Sequence, residues 1–389
     1  MTRMLASVTD SAEADIALRL GADIIDLKDA AKGAMAAVDI ATAEAVVSQV
    51  AGRRELSATL GDPPYDPPAL IERARAFAAA KVDYLKVAID ADMLEQCGEG
   101  LLATIARTAH LVAVLFADEA PDFALLPKLK SLGFAGAMLD TRRKRAGRLL
   151  DHFDVTRLEQ FCSLCRAEGL TSGLAGSLEA PDVPRLLLVR PDVLGFRGAL
   201  CHNHDRAAGI DPQCMSLIRD LVPRERPDPE ASPKVDWRLL ARGIAGGHDH
   251  ESEVDRVYVR DFVIPAYIGA YNFERNAPQQ VAFDVEAVIR RAVAHVDDMR
   301  EVFSYDLILD SIRLAVGRGH VQLVETLAEE VAASVLRHAR VRSVRVSVRK
   351  IDVIDGAVGI EIHRERASGA AESHLYGLAS RTTPSHRKD

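Results

Sequence analysis

The sequence predicts an α/β chain: a closed (β/α)8 TIM barrel followed by a smaller α+β module. Three observations carry this. Short apolar runs recur about every 25–30 residues through the first half, with helical patterns between them. A proline-punctuated, charged stretch then interrupts the pattern. Beyond it the hydrophobic period drops to two. A length of 389 residues fits two to three domains at ~150 residues each.

In chain order, strands are expected near 4–8, 22–28, 55–61, 84–89, 111–117, 134–140, 171–177 and 193–199. The intervals read as helices. Asp10 followed by Glu13 has the spacing of a capping box, and Ile16, Ala17 and Leu20 give the first helix an apolar stripe. Eight near-continuous apolar strands alternating with helices imply a parallel sheet covered by helices, and the count favours closure. An open doubly wound sheet is the alternative, but no G-x-G-x-x-G follows the first strand. Residues 1–221 are therefore taken as the barrel.

Composition excludes several classes. Forty-nine basic residues face 57 acidic ones, net −8, too acidic for sequence-independent nucleic-acid binding. No apolar run approaches the ~18 residues of a membrane helix, and the N-terminal residues lack a signal-peptide apolar region. Five cysteines, an odd number without a framework, indicate a reducing, cytoplasmic setting.

Barrel enzymes carry their chemistry at the carboxyl ends of the strands, and here those ends hold charges. Asp26 and Lys28 share parity on the second strand. Lys86 interrupts Leu85 and Val87 on the fourth, and Asp140 ends the sixth with Lys144 four residues on. The seventh and eighth ends, Gly176-Ser177 and Arg197-Gly198, have the small residues of a backbone phosphate site. One lysine at a strand end snorkels readily. Two lysines with an aspartate among them need pairing or a function. Repulsion and desolvation favour the free amine that Schiff-base chemistry requires.

These residues resemble the (5-formylfuran-3-yl)methyl phosphate synthase family. The resemblance runs through Gly21 to Lys28 with Lys32-Gly33, Tyr84-Leu85-Lys86-Val87, Met138 to Thr141 with Lys144, and Gly195 to Ala199, over about residues 1–221. It implies condensation of two glyceraldehyde 3-phosphates into a furan aldehyde phosphate of the methanofuran and methylofuran pathway, with loss of phosphate and water. It further implies that Lys28 forms the Schiff base and Lys86 transfers protons. Asp26, Asp140 and Lys144 would assist proton transfer and phosphate departure. From the strand-end pattern itself, Gly176, Ser177, Arg197 and Gly198 are the expected substrate-binding residues. The rival is another class I aldolase or phosphate-binding lyase.

Cys162-x-x-Cys165 lacks a second pair and lies in phase with Leu158 and Phe161, so it reads as core rather than metal ligand. Cys201-His202-Asn203-His204 reads as a loop rim. Residues 222–254 form the expected linker, with a short helix around 237–242 and a solvated His248-Asp249-His250-Glu251 tip. No metal and no cofactor is expected.

In 255–366, Val257, Val259 and Val263, then Val281 to Ile289, alternate with mostly polar neighbours. Helices follow over 305–316 and 321–337, then strands around Val344 to Val348 and Val358 to Ile362. Glu274 lies between the long strands, Tyr305 opens a helix, Glu325 starts the next, and Lys350 shares parity with Val344 to Val348. These stretches resemble the dihydroneopterin aldolase family, whose tunnelling fold the segment would adopt. The resemblance implies cleavage of dihydroneopterin to 6-hydroxymethyl-dihydropterin and glycolaldehyde without metal or Schiff base. Glu325 would anchor the pterin, Lys350 would act as general base through water, and Tyr305 with Glu274 would position them. The family usually has proline after that lysine; here Ile351 follows. The module would also hold a homo-oligomer together, and a non-catalytic assembly role is the alternative. The tail 367–389 reads as disordered.

Overall fold

The computed structural model describes residues 1–89, 93–94, 98–143, 146–223, 254–291, 298–354 and 356–366. They form two compact units, one built on a barrel and one on a four-stranded sheet. The expected linker helix, the His248 to Glu251 tip and the tail lie outside the described residues, as does Lys144.

Eight parallel strands close in sequence order: β1 Arg3–Val8, β2 Ile24–Leu27, β3 Glu55–Thr59, β4 Tyr84–Ala88, β5 His110–Phe116, β6 Gly136–Asp140, β7 Thr171–Leu174 and β8 Val193–Phe196. Pairing of Leu5 with Gly195 and Ala6 with Phe196 joins β1 to β8, which removes the open-sheet alternative. Six strands end earlier than the apolar pattern does, β7 and β8 by three residues each. Gly176 (φ +115°) and Ser177 (φ +51°) turn the chain after β7, and a 3-10 turn at Gly198–Leu200 follows β8. Lys28 stands one residue beyond β2.

The helices around the barrel are α1 Ser11–Arg19, α2 Ile40–Val50, α3 Pro67–Ala79, α4 Glu99–Ala106, α5 Leu126–Ser131, α6 Leu149–His152, α7 Val155–Ala167, α8 Asp182–Leu187 and α9 Pro212–Leu221. Aspartate starts five of them. Asp10, Asp39, Asp66, Asp154 and Asp211 each accept a hydrogen bond from a backbone N–H of the first turn, which stabilises each start by typically ~1 kcal/mol. The expected capping box at α1 is half formed. Asp10 accepts from Glu13 N, but Glu13 Oε2 takes the N–H and hydroxyl of Thr9 instead of the Asp10 N–H.

A second use of aspartate repeats at the amino ends of the strands. Asp23, Asp83 and Asp192 each donate their N–H to the carbonyl of Met4, Leu56 and Ser172 on the preceding strand. Each carboxylate accepts that same residue's N–H in return, at 2.7–2.8 Å. The double clasp fixes the register of β1/β2, β3/β4 and β7/β8 at the end of the barrel away from the predicted chemistry.

Inside the barrel, Leu5, Ile24, Val114, Met138 and Val193 pack together. Outward residues such as Met4, Ile25, Leu85 and Leu139 meet the helices in a second cluster that includes Cys162 and Cys165. Burial pushes the Cys162 thiol up to about 12 and Cys165 upward as well, the behaviour of packed rather than reactive cysteines.

The other unit is an antiparallel sheet in the order β12-β11-β10-β9, from β9 Val254–Ala266, β10 Gln279–Arg290, β11 Val341–Ile354 and β12 Gly356–Glu365. Helices α10 Tyr305–Gly317 and α11 Val324–Leu336 come between the two strand pairs in sequence. Period-two alternation buries Val281, Phe283, Val285 and Ala287 on one face, in register with Lys350, Val348, Val346 and Val344. Leu327, Val331 and Val335 of α11 are buried, and the helix packs on β11 and β12. The opposite face carries ion pairs such as Arg349–Asp284 and Arg260–Glu286, both 2.6 Å. Among the described residues no helix is long and apolar enough to cross a membrane.

Candidate active sites

The barrel register places Ser7, Asp26 and Ser57 side by side on β1, β2 and β3. The Asp26 carboxylate is fully buried. It accepts from Ser7 Oγ at 2.9 Å and Ser57 Oγ at 2.6 Å, and its Oδ1 lies 2.6 Å from Lys86 Nζ. Burial alone would raise its pKa. The charges of Lys86 and then Lys28, with hydrogen bonds from Lys86 and Ser57, reverse that and hold it below the ordinary carboxylate range. Lys28 and Lys86 are 7% and 5% exposed. Asp140 closes β6, nearly buried, with Oδ1 accepting from Thr141 N at 2.8 Å. Lys28, Lys86, Asp140, Gly176, Ser177 and Gly198 all face one cavity of about 700 Å³. Residues from the ends of five strands thus converge on one volume, large enough for a small-molecule site.

Glycine at 176 is required twice over. Its φ of +115° disfavours a side chain, and a Cβ there would lie 3.0–3.1 Å from Thr141 Cγ2 and N. Arg197 departs from the expectation of a substrate ligand. Its five N–H donors are all engaged with protein acceptors. Nη1 donates to Glu13 Oε2 and Ser7 O, Nη2 to Glu13 Oε1 and Ala208 O, and Nε to Arg206 O. The side chain ties α1 and the loop after β8 together, and it has no donor left to offer a phosphate.

A different arginine was missed. Arg206 lines the same cavity, and its Nε and Nη2 are buried with no hydrogen-bond partner among the described residues. Burial pulls its pKa below the usual arginine value; the charge of Asp140 opposes this and that of Arg197 adds to it. The signal was present in sequence: a basic residue in the loop following the glycine-bearing eighth strand. His202 Nδ1 meets Asp211 at 3.0 Å, and no three His, Cys, Asp or Glu side chains converge as metal ligands among the described residues.

In the sheet unit, Lys350 and Glu274 come together. Lys350 Nζ lies 2.6 Å from Glu274 Oε1, which also accepts from Gln279 Nε2 at 3.1 Å, while Oε2 accepts from Tyr271 N at 3.0 Å. These donors, Lys350 foremost, hold Glu274 at about 2. Tyr305 is 59% exposed and Glu325 is exposed. No hydrogen bond joins either of them to the Lys350–Glu274 pair among the described residues.

A closed barrel whose charged strand ends share one cavity defines a (β/α)8-barrel enzyme. The chain belongs to the 4-HFC-P synthase family, whose model matches residues 4–219. The dihydroneopterin aldolase family model matches residues 257–363. A protein of Methylorubrum extorquens is 39% identical over 211 residues, 54% of this chain and 86% of its own. The (5-formylfuran-3-yl)methyl phosphate synthase of Methanosarcina mazei is 32% identical over 232 residues, 57% of this chain and 97% of its own. A solved dihydroneopterin aldolase of a Burkholderia species, bound to guanine, is 35% identical with a TM-score of 0.28, covering 31% of this chain and 98% of that one. The chain therefore joins a region like furan phosphate synthases to one like dihydroneopterin aldolases.

Proposed function

We propose that the barrel condenses two glyceraldehyde 3-phosphates into (5-formylfuran-3-yl)methyl phosphate through an imine on Lys28. Atom balance requires loss of one phosphate and two waters. The observation that supports this most directly is the pairing of Lys86 with Asp26 beside the buried Lys28, at one cavity. Lys28 is the amine placed to attack the triose carbonyl, forming an imine and then an enamine. Lys86 and Asp26, already hydrogen-bonded, pass protons to and from the reacting carbons and oxygens. Asp140, with Lys144, protonates the departing oxygens, and the loops at Gly176-Ser177 and Gly198 hold phosphate. Incubation with glyceraldehyde 3-phosphate followed by mass spectrometry tests the product. Borohydride tests the imine: an adduct is expected on the Lys28 peptide, and product formation without an adduct on any lysine refutes it. A class I aldolase acting on dihydroxyacetone phosphate with an acceptor aldehyde is the competing outcome.

For the second unit, the Lys350–Glu274 pair supports a retro-aldol cleavage of dihydroneopterin to 6-hydroxymethyl-dihydropterin and glycolaldehyde. Lys350 acts as base through water, Glu274 and Tyr305 position it, and Glu325 accepts from the pterin N–H groups. The exposure of Tyr305 and Glu325 favours the rival, a module that assembles the protein without catalysis. Full furan synthesis with no turnover of dihydroneopterin would select that rival. On either reading we take residues 1–221 as the barrel domain and 255–366 as the second domain, joined by 222–254, with 294–302 and 309–317 clustering with the barrel unit. Among the described residues the outer strands β9 and β12 each leave one edge unpaired, which suits assembly into a homo-oligomer; light scattering giving a monomer would contradict it.

A further inference from the structure

We propose that Arg206 grips the substrate phosphate in the barrel cavity, through the paired N–H groups on the Nε–Nη2 edge of its guanidinium. The identity of that substrate as a triose phosphate rests on the furan-forming reading; the anion site does not.

Nε–H and Nη2–H point in parallel from one edge of the guanidinium, the fork that two phosphate oxygens match. In Arg206 both are buried, and neither has a protein acceptor among the described residues. Buried donors in native proteins are nearly always satisfied, so an orphaned pair beside a cavity points to an acceptor that arrives from it. The neighbouring arginine makes the contrast. All five donors of Arg197 are engaged, and two of them hold the backbone of this very segment, at Arg206 O and Ala208 O, each 3.0 Å. One arginine therefore fastens the loop and the other is presented by it. The loop also overlies the predicted phosphate turn: His204 O would be 3.4 Å from a Cβ at Gly198. Arg206 lines the same cavity as Gly176, Ser177 and Gly198.

The test uses the full chain and inorganic phosphate, followed by titration calorimetry, on the parent, Arg206→Gln and Arg206→Lys. Arg206→Gln is expected to weaken phosphate binding at least about tenfold and to raise KM for glyceraldehyde 3-phosphate similarly. Arg206→Lys, which keeps the charge but not the fork, should fall between. Borohydride trapping with unphosphorylated glyceraldehyde should be unchanged in all three, which also shows that the variants are folded. Phosphate binding by Arg206→Gln as tight as the parent's, or no phosphate binding by the parent, overturns the proposal. Arg206-dependent phosphate binding in a parent that makes no furan would uphold the proposal and refute the furan-forming reading.

Discussion

The two units each present a lysine 2.6 Å from a carboxylate, and the pairs differ in everything around that contact. The side chains of Lys86 and Asp26 are 6% and 0% exposed, inside a closed barrel with two serine hydroxyls and a second lysine at hand. Lys350 and Glu274 are 14% and 9% exposed, at the end of a sheet, with one amide side chain and one backbone N–H completing the set. In the barrel, burial works against the carboxylate and the lysines must overcome it. In the sheet unit, hydrogen bonds lead and burial is a small opposing effect. The buried pair sits with Ser7 and Ser57, and Lys28 acts on the same carboxylate from within the barrel unit. The outer pair stands apart from the other residues assigned to its chemistry, Tyr305 and Glu325.

The largest effect expected is on chemistry. Lys28→Arg keeps a cation but cannot form an imine, so furan synthesis and the borohydride adduct should both fall to background while dihydroneopterin turnover stays unchanged. An adduct on Lys86 instead would exchange the two lysine roles. The next effect is on stability and separates the pairs directly. Asp26→Ala leaves Lys86 as a buried, unpaired charge and should destabilise the barrel by about 3–5 kcal/mol in urea denaturation. Glu274→Gln, which keeps the side chain's shape and an accepting oxygen outside the closed barrel, should cost less than Asp26→Ala. Equal losses would erase the distinction drawn above.

A smaller effect is expected on ligand affinity. Glu325→Ala should weaken pterin binding by ~1.5–3 kcal/mol for each charged hydrogen bond lost, read by fluorescence titration, while Lys350→Ala should spare binding and slow turnover. The smallest effect concerns pH. Glu274 sits at about 2 in the folded protein against an ordinary 4.5. A depressed carboxylate contributes stability in full above its unfolded value, and that contribution is lost as pH falls through the folded one. Its ionisation therefore stays constant between pH 5 and 8, and any acid limb of dihydroneopterin cleavage in that range must survive Glu274→Gln.

What could be read in advance follows from how locally each feature is encoded. Alternation and spacing write themselves into neighbouring residues, so eight strands and the Asp26, Lys28 and Lys86 triplet were visible. Strand ends were less so. The apolar run continues through Ala175 and Ala199, while the pairing stops where Gly176 and the 198–200 turn redirect the chain. The role of Arg197 was hidden because its partners Glu13 and Ser7 lie more than 180 residues away. Nothing near it in sequence distinguishes a guanidinium whose donors are filled from one held ready. The aspartate clasps are not legible either, although Asp23, Asp83 and Asp192 each directly precede an apolar strand. Their meaning appears only when the adjacent strand is in view.

Arg197 has a bearing on how substitution data from this enzyme should be interpreted. Lysine there would supply three donors from a single point in place of five from a plane, so at least two of the acceptors now held would be released, and with them the loop that carries Arg206. Inactivity at position 197 would then look like the signature of a reacting group. The diagnosis lies in rescue: a guanidinium-like small molecule can refill a vacated donor set near the surface, but it cannot re-anchor a loop to the first helix of the chain. Failure of such rescue at 197, beside success at 206, would mark the first as a fastener and the second as a handle.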